Sequence, residues 1–442
     1  MDLKYLARLF TVVLLLGSCT PPVARPDSLP HSGPESAASP SPRAPSERPS
    51  LAVTARVMNG RSWYLVPDAL VGASPIAGVL VAFDGDPSST GAFARLRPGD
   101  RQVQLAAATG PNQRTASFDL HGLAPGEYAI DIVERLAGGE TVVATHEFKL
   151  SAPEYIVWTL DFEGDASADS ELANTAAIAD GFGVPMTIMW NPRVWTTVQV
   201  GDARAAAMLA WTKDRASKGD EVSLHLHMWT DFVRASGLVP RTAPNWAGRS
   251  DGYDVPMTAF NEAETKTMLD FSLRLMSEHG LPRPTTFRAG GQFASAANLR
   301  ALAGSGFVAD ASAVPAGGFG RLVLPWTLAA DAQPYRPAPD DANAVGALPL
   351  LEAPTIGGNT YAYDLRTIQP IVRTDLSLLA PAGEVARARR AITFVSHPGT
   401  IVPAERAAIE SLFSAFAPLR YDRDAGPVRF ITLAQLATAY GP

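Results

Sequence analysis

Apolar and polar residues alternate with a period of two in six short stretches early in the chain: 51–57, 79–83, 102–107, 115–120, 127–134 and 142–150. Tyr128, Ile130 and Ile132 alternate with Ala129, Asp131 and Val133, the pattern of a half-buried strand. Turn residues punctuate these stretches, so a small all-β sandwich is expected over 51–152. Beyond Pro153 the rhythm lengthens. Apolar runs at 155–160, 185–190, 221–228, 285–288, 308–311, 350–353, 392–396 and 428–431 are separated by helical patterns at 168–181, 203–218, 258–279, 294–303, 404–415 and 433–440. Such alternation predicts an α/β region of parallel strands with helices outside, an open sheet or a barrel, over 153–442.

The N-terminus does not fit either pattern. Lys4 and Arg8 precede an apolar run from Leu9 to Leu16, too short for the roughly 20 residues of a membrane span and fitting a signal peptide over 1–19. It ends in Leu16-Gly17-Ser18-Cys19, which resembles the lipobox of bacterial lipoproteins. Lipidation at Cys19 is therefore expected, with Thr20 in the next position resembling lipoproteins sorted to an outer membrane. Cys19 is the only cysteine, which excludes an internal disulfide and a cysteine zinc site. Residues 20–50 hold nine Pro and seven Ser. They read as a disordered tether reaching as far as roughly 90 Å. The net charge of −7 and the lack of a basic run argue against a nucleic-acid partner.

Candidate chemistry gathers where the later strands end, the place where parallel α/β folds build their sites. His225 and His227, two of seven histidines, sit two apart in Ser223-Leu-His-Leu-His-Met-Trp229. On a strand their imidazoles share one face and can chelate a metal. The first long strand runs into Asp161-Phe-Glu163-Gly-Asp165, three carboxylates in five residues. Arg288 is followed by Ala289-Gly290-Gly291, whose glycines admit a tight turn or close approach of a ligand. Asp310 and Ser312 end another strand, and His397-Pro398-Gly399 a further one. Each alone also fits a cap, a loop or a solvated face; together they read as an active site.

In this order the motifs resemble those of the polysaccharide deacetylases of carbohydrate esterase family four, the NodB-like group. Thr159-Leu-Asp161-Phe-Glu163-Gly164 stands for the first motif, Gly219-Asp-Glu-Val-Ser-Leu-His225-Leu-His227 for the second and Phe287-Arg288-Ala-Gly-Gly for the third. Gly306-Phe-Val-Ala-Asp310-Ala-Ser312 and Ser396-His397-Pro398 stand for the fourth and fifth. The resemblance implies a distorted (β/α) barrel of about seven parallel strands that hydrolyses N-acetyl, or O-acetyl, groups of an acetylated polysaccharide. It implies a divalent metal, zinc or else cobalt, nickel or manganese, held by Glu163, His225 and His227. Asp161 would be the general base, paired with Arg288. His397 would be the acid, its imidazole oriented by Asp310, and Trp229, Gly290 and Gly291 would face substrate. The chain departs from the family in spacing its acids Asp-Phe-Glu rather than adjacent, and its histidines H-x-H, so Asp161 and Glu163 can also exchange roles.

Gly122-Leu-Ala-Pro-Gly-Glu-Tyr128 resembles the turn into a late strand of an immunoglobulin-like sandwich, a spacer or weak glycan-binding module. With a lipid on Cys19, the protein is expected at the cell envelope, membrane-anchored, on the outer membrane or facing the periplasm if the cell is Gram-negative. Two alternatives stay open: a glycoside hydrolase using Asp161 and Glu163 on a similar barrel, and a catalytically silent surface lipoprotein that binds glycan.

Overall fold

The structure, a computed structural model, describes residues 53–441 apart from 73–74, 86–90, 137 and 362–363. Cys19, the leader and the 20–50 segment lie outside the described residues, and no described helix is long and apolar enough to cross a membrane.

Among the described residues nine strands come first: β1 (Ala55–Asn59), β2 (Trp63–Leu65), β3 (Ile76–Phe83), β4 (Phe93–Arg97), β5 (Arg101–Gln104), β6 (Ala106–Ala107), β7 (Gln113–Asp119), β8 (Gly126–Leu136) and β9 (Gly139–Ser151). They form a four-stranded sheet in the order β1-β3-β7-β6 and a five-stranded sheet in the order β2-β9-β8-β4-β5. Val79, Val81 and Phe118 of one sheet and Leu96, Ile130, Ile132 and Phe148 of the other fill one core, so the sheets face each other as a sandwich. Each such side chain contributes about 1.5–3 kcal/mol on burial. The barrel's Asp424 receives the Ser62 and Trp63 N–H groups at 2.7 and 3.0 Å, fastening the start of β2.

The second part is built on eight parallel strands: β10 (Glu154–Asp161), β11 (Met186–Trp190), β12 (Glu221–Leu226), β13 (Thr286–Ala289), β14 (Ala309–Asp310), β17 (Leu351–Glu352), β18 (Arg390–Ser396) and β19 (Val428–Ile431). Seven run in the order β17-β14-β13-β12-β11-β10-β18, with β19 paired to the first half of β10. A hairpin of β15 (Gly318–Phe319) and β16 (Leu322–Val323) lies in the long connection between β14 and β17. After β17 the chain swings to β18, where Gly357 N–H donates to Thr393 O and Thr360 N–H to Val395 O, both at 2.9 Å. Backbone bonding thus runs from one sheet edge to the other, a distorted barrel closed by residues 357–360. The helices α1 (Asp169–Phe182), α2 (Asp202–Ser217), α3 (Thr230–Ala235), α4 (Glu262–Glu278), α5 (Ala296–Gly304), α6 (Leu365–Ser377), α7 (Pro403–Ala415) and α8 (Leu433–Tyr440) complete it.

Side-chain alternation decides what the barrel holds. Ile156, Trp158 and Leu160 of β10, Leu224 and Leu226 of β12, Phe287 of β13 and Phe394 of β18 join one core with the surrounding helices. The alternate positions, Thr159 and Asp161, Ser223 and His225, Thr286 and Arg288, therefore face inward. The barrel interior is apolar near its N-terminal end, where Tyr155, Val157 and Ala391 pack with Leu433 and Leu436 of α8. Towards the strand C-termini it is polar.

Among the elements that differ from the sequence expectation, two have local reasons. Helix α4 starts at Glu262 rather than 258 because Asn261 and Glu264 form a reciprocal capping box there. Helix α6, unforeseen, carries Pro370 in its interior, a residue that ordinarily ends a helical pattern. Its Asp375 is fully buried with no hydrogen-bond partner for either carboxylate oxygen among the described residues, and burial pushes its pKa up to about 8. The unfolded carboxyl loses its proton near pH 4, whereas the folded one keeps it to about 8. Between these values folding takes up a proton, so this group makes stability fall as pH rises, by up to about 1.4 kcal/mol per pH unit. Asp375→Asn is expected to flatten that slope in urea unfolding measured from pH 5 to 8.

Candidate active site

The acids reach the site by the same alternation as the histidines. The Phe162 N–H donates to Met189 O at 3.0 Å, extending the pairing of β10 past Asp161, and the Phe162 ring is buried against Trp190 and Trp211. Asp161 and Glu163 consequently share the inward face, as His225 and His227 do beyond Leu226. Glu163 sits at a turn where Gly164 has φ +82°, and a Cβ there would come within 2.9 Å of the Asn191 side chain.

Glu163 is the hub. Its Oε2 is 2.6 Å from His227 Nε2 and 3.8 Å from His225 Nε2, while its Oε1 is 3.1 Å from His397 Nε2. Tyr253 donates its hydroxyl to Oε2 at 3.1 Å and stacks on the His227 ring at 4.0 Å and 3°. Burial works to raise the Glu163 carboxyl, but His227, His225 and His397 outweigh it and hold the acid well below its ordinary range. Each imidazole is turned by a backbone carbonyl. His225 Nδ1 is 3.0 Å from Arg288 O, and His227 Nδ1 is 2.7 Å from Tyr253 O. A carbonyl only accepts, so both Nδ1 atoms carry a proton, and the Nε2 atoms are the ones that face the centre and can give lone pairs to a cation in place of a proton.

This donor set fits a cation. Glu163, His225 and His227 bring one ligand atom each within 4.8 Å of one another. His225 Nε2 is buried without a hydrogen-bond partner among the described residues. Two outward-anchored imidazoles and a carboxylate are the ligands of catalytic divalent-metal sites that keep open positions. Asp161, Glu163 and His397 make a second convergent group that shares Glu163.

Asp161 stands beside the imidazoles, its Oδ2 4.0 Å from His225 Nδ1. Its other oxygen accepts from Arg288 Nη1 at 2.9 Å. Arg288 is fully buried and also donates to Thr159 Oγ1, to Ala311 O and to Thr355 Oγ1. A cavity of about 300 Å³ opens over this floor, lined by Asp161, Glu163, His225, His227 and His397, with Trp246, Tyr253, Gly291, Gln292, Phe319, Asn359 and Tyr361 around it.

Not every expected residue arrives there. Asp310 is not brought to His397. It pairs in register with Phe287 and Glu352, on the sheet face opposite Arg288, and its Oδ1 accepts from Ser312 Oγ at 2.8 Å. Burial raises the Asp310 pKa to about 6, and burial together with the neighbouring Asp310 raises Glu352 well above the ordinary carboxyl range. His397 Nδ1 has no hydrogen-bond partner among the described residues. Trp229 is buried behind the site, donating its indole N–H to Glu163 O at 2.9 Å, with the Arg193 guanidinium 3.7 Å over its ring. Arg193 in turn donates to Gly164 O and, through Nε and Nη2, to both oxygens of Asp231. Gly290 lies against His227, where a Cβ would fall 2.6 Å from the ring, while Gly291 reaches the cavity.

Trp229 and Arg193 thus hold two successive carbonyls, those of Glu163 and Gly164, and with them the turn that carries the Glu163 carboxylate. Trp229→Phe is expected to keep the fold and weaken metal affinity by roughly 10- to 100-fold, measured by competition with a chelating dye. Tyr253, Gln292, Asn359 and Tyr361 carry no local motif. They come from the connections that follow the strands, Gln292 three residues past the end of β13.

No protein-family profile and no curated protein matches this chain. Among solved structures it is similar to a Mycobacterium smegmatis protein described as a polysaccharide deacetylase, at 15% identity over 64% of this chain and 89% of that one, with a TM-score of 0.41. It is also similar to a family 4 acetyl xylan esterase from Clostridium thermocellum with a cobalt ion, at 12% identity over 65% and 92%, TM-score 0.34. A peptidoglycan deacetylase from Bacillus subtilis matches at 11% identity over 65% and 92%, TM-score 0.33. At such identities and TM-scores, side chains rather than superpositions distinguish one chemistry from another.

Proposed function

We propose that this protein is a metal-dependent hydrolase that removes acetyl groups, N-linked or O-linked, from a polysaccharide. The observation that carries the reading is the convergence of two outward-anchored imidazoles on Glu163 beside the buried Asp161–Arg288 pair and His397. Glu163, His225 and His227 would hold a divalent cation, for which zinc suits the two-histidine, one-carboxylate set. When bound, such an ion polarises a carbonyl and lowers the pKa of water from 15.7 to about 7. Asp161 takes the proton of the attacking water, its carboxylate aimed by Arg288. His397, on the other side of Glu163, gives a proton to the departing amine or alkoxide. The descriptions of the Clostridium and Bacillus proteins, an acetyl xylan esterase and a peptidoglycan deacetylase, agree with an acetylated glycan.

The decisive experiment is acetate release from a panel of N- and O-acetylated glycans, with and without chelator, alongside metal analysis. Chelator-insensitive reducing-sugar release without acetate would replace this reading with the glycosidase one, and glycan binding without either product would leave a silent binder. The sandwich is proposed as an immunoglobulin-like spacer, supported by the Tyr128 hydroxyl donating back to Ala124 O at 2.7 Å, the tie of a tyrosine corner. Lipid on Cys19 and a tether over 20–50 would hold the enzyme at the cell envelope. Cys19→Ala is expected to move the protein from the membrane fraction to the soluble one.

A further inference from the structure

Two described residues other than glycine have positive φ, Asp424 at 54° and Gln292 at 67°. For such residues the left-handed region is unfavourable, and an observed instance points to something that holds it. Asp424 has a structural reason, because its carboxylate caps the Ser62 and Trp63 N–H groups. Gln292 has none of that kind: its side-chain amide has no hydrogen-bond partner among the described residues, and it lines the cavity above Glu163 and His397.

The backbone around Gln292 is fixed from three directions. Its carbonyl accepts from the buried Trp326 indole N–H at 2.6 Å. Gly291 before it also has positive φ, 61°, and a Cβ there would fall 2.7 Å from Trp246. Phe293 after it stacks on Trp246 at 5.3 Å and 9°. A glycine or asparagine would fit this conformation with less strain. Glutamine offers instead a long neutral group with two donors and one acceptor.

We propose that the Gln292 carboxamide is a substrate-recognition group that hydrogen-bonds a hydroxyl or acylamino substituent of a neutral pyranose ring. The proposal rests on the glycan reading above. A neutral amide neither compensates nor repels charge, so it selects hydroxylated or amide-bearing ligands over phosphates and carboxylates. Trp246 and Phe319, meeting edge to face at 5.4 Å in the same cavity, supply apolar surface for the ring's C–H groups.

The test compares wild type, Gln292→Gly and Gln292→Asn for melting temperature, for binding of acetylated oligosaccharides to the metal-free protein by calorimetry, and for acetate release by the metal-loaded protein. Gln292→Gly is expected to melt no lower than wild type yet to bind the best oligosaccharide of the panel about tenfold more weakly. Gln292→Asn, with a shorter amide that tolerates this backbone, is expected to fall between. Equal dissociation constants would overturn the proposal, as would wild type that binds no oligosaccharide. A lowered melting temperature together with weakened binding would assign Gln292 to structure and overturn it too. Binding that weakens as expected with no acetate released by any form would leave Gln292 as a recognition group and overturn the deacetylase reading instead.

Discussion

Replacing His225 by alanine is expected to strip the protein of tightly bound metal and to lower acetate release by about a thousandfold or more. His225 is 1% exposed, its Nδ1 is committed to Arg288 O, and its Nε2 is buried without a hydrogen-bond partner among the described residues. A nitrogen so placed is costly unless something occupies its lone pair, and Glu163 and His227 are the donors that converge with it. Without it, one imidazole and one carboxylate remain, a weaker chelate. The Lewis acidity of a catalytic ion contributes several kcal/mol to the transition state; about 4 kcal/mol corresponds to roughly a thousandfold in rate. Mass spectrometry of the dialysed protein reads the metal, and an acetate assay reads the rate. Stability separates ligand loss from unfolding. Wild type is expected to melt higher as metal is added, because the ion binds only the folded state, whereas His225→Ala is expected to melt at one temperature with or without it. A variant retaining stoichiometric metal and wild-type turnover would refute the assignment.

Much of this site was legible because strand parity is written in sequence. The spacings D-x-E and H-x-H, which depart from the resembled family, are both period-two spacings. On extended chain they deliver both side chains to one face, with Phe162 and Leu226 turned into the helical layer. Parity also explains what was misplaced. Asp310 closes a strand of two residues, too short for its own sequence to show which face is inward, and register with Phe287 and Glu352 turns it away from His397. Strands β2 and β4 lacked long alternation: Trp63, Tyr64 and Leu65 are buried in succession, as are Phe93 and Ala94. That Tyr253 would bond Glu163, or Gln292 line the cavity, was beyond reach for another reason. They arrive on long connections whose course depends on tertiary contacts, such as the buried Asp254 carboxylate that accepts the Ala247 and Arg249 N–H groups.

Arg288→Met is expected to cost about 3–5 kcal/mol of folding stability as well as most of the activity, the largest stability effect of any site substitution. Arg288 is fully buried and spends its guanidinium on Asp161, Thr159, Thr355 and the Ala311 carbonyl. The Asp161 carboxylate is itself about 5% exposed, so losing the arginine strands a buried charge, which is what makes breaking such a pair expensive. Its positive charge also acts on the Asp310 and Glu352 carboxyls across the sheet, working against the burial that raises both. Removing it should therefore leave that pair still more firmly protonated. Urea unfolding of Arg288→Met, Asp161→Asn and the double variant distinguishes electrostatic loss from lost packing. If stranded charge is the cause, Asp161→Asn recovers much of the deficit, and the coupling between the two substitutions reaches about 2–3 kcal/mol. Additive losses would mean that Arg288 acts by filling space, and Asp161 would then depend on something other than this pair for its orientation. Arg288→Lys sharpens the comparison: it restores a charge but not the planar fork that spans Asp161 and Thr355 at once. It is expected to recover stability more than activity, because a base must be aimed as well as charged.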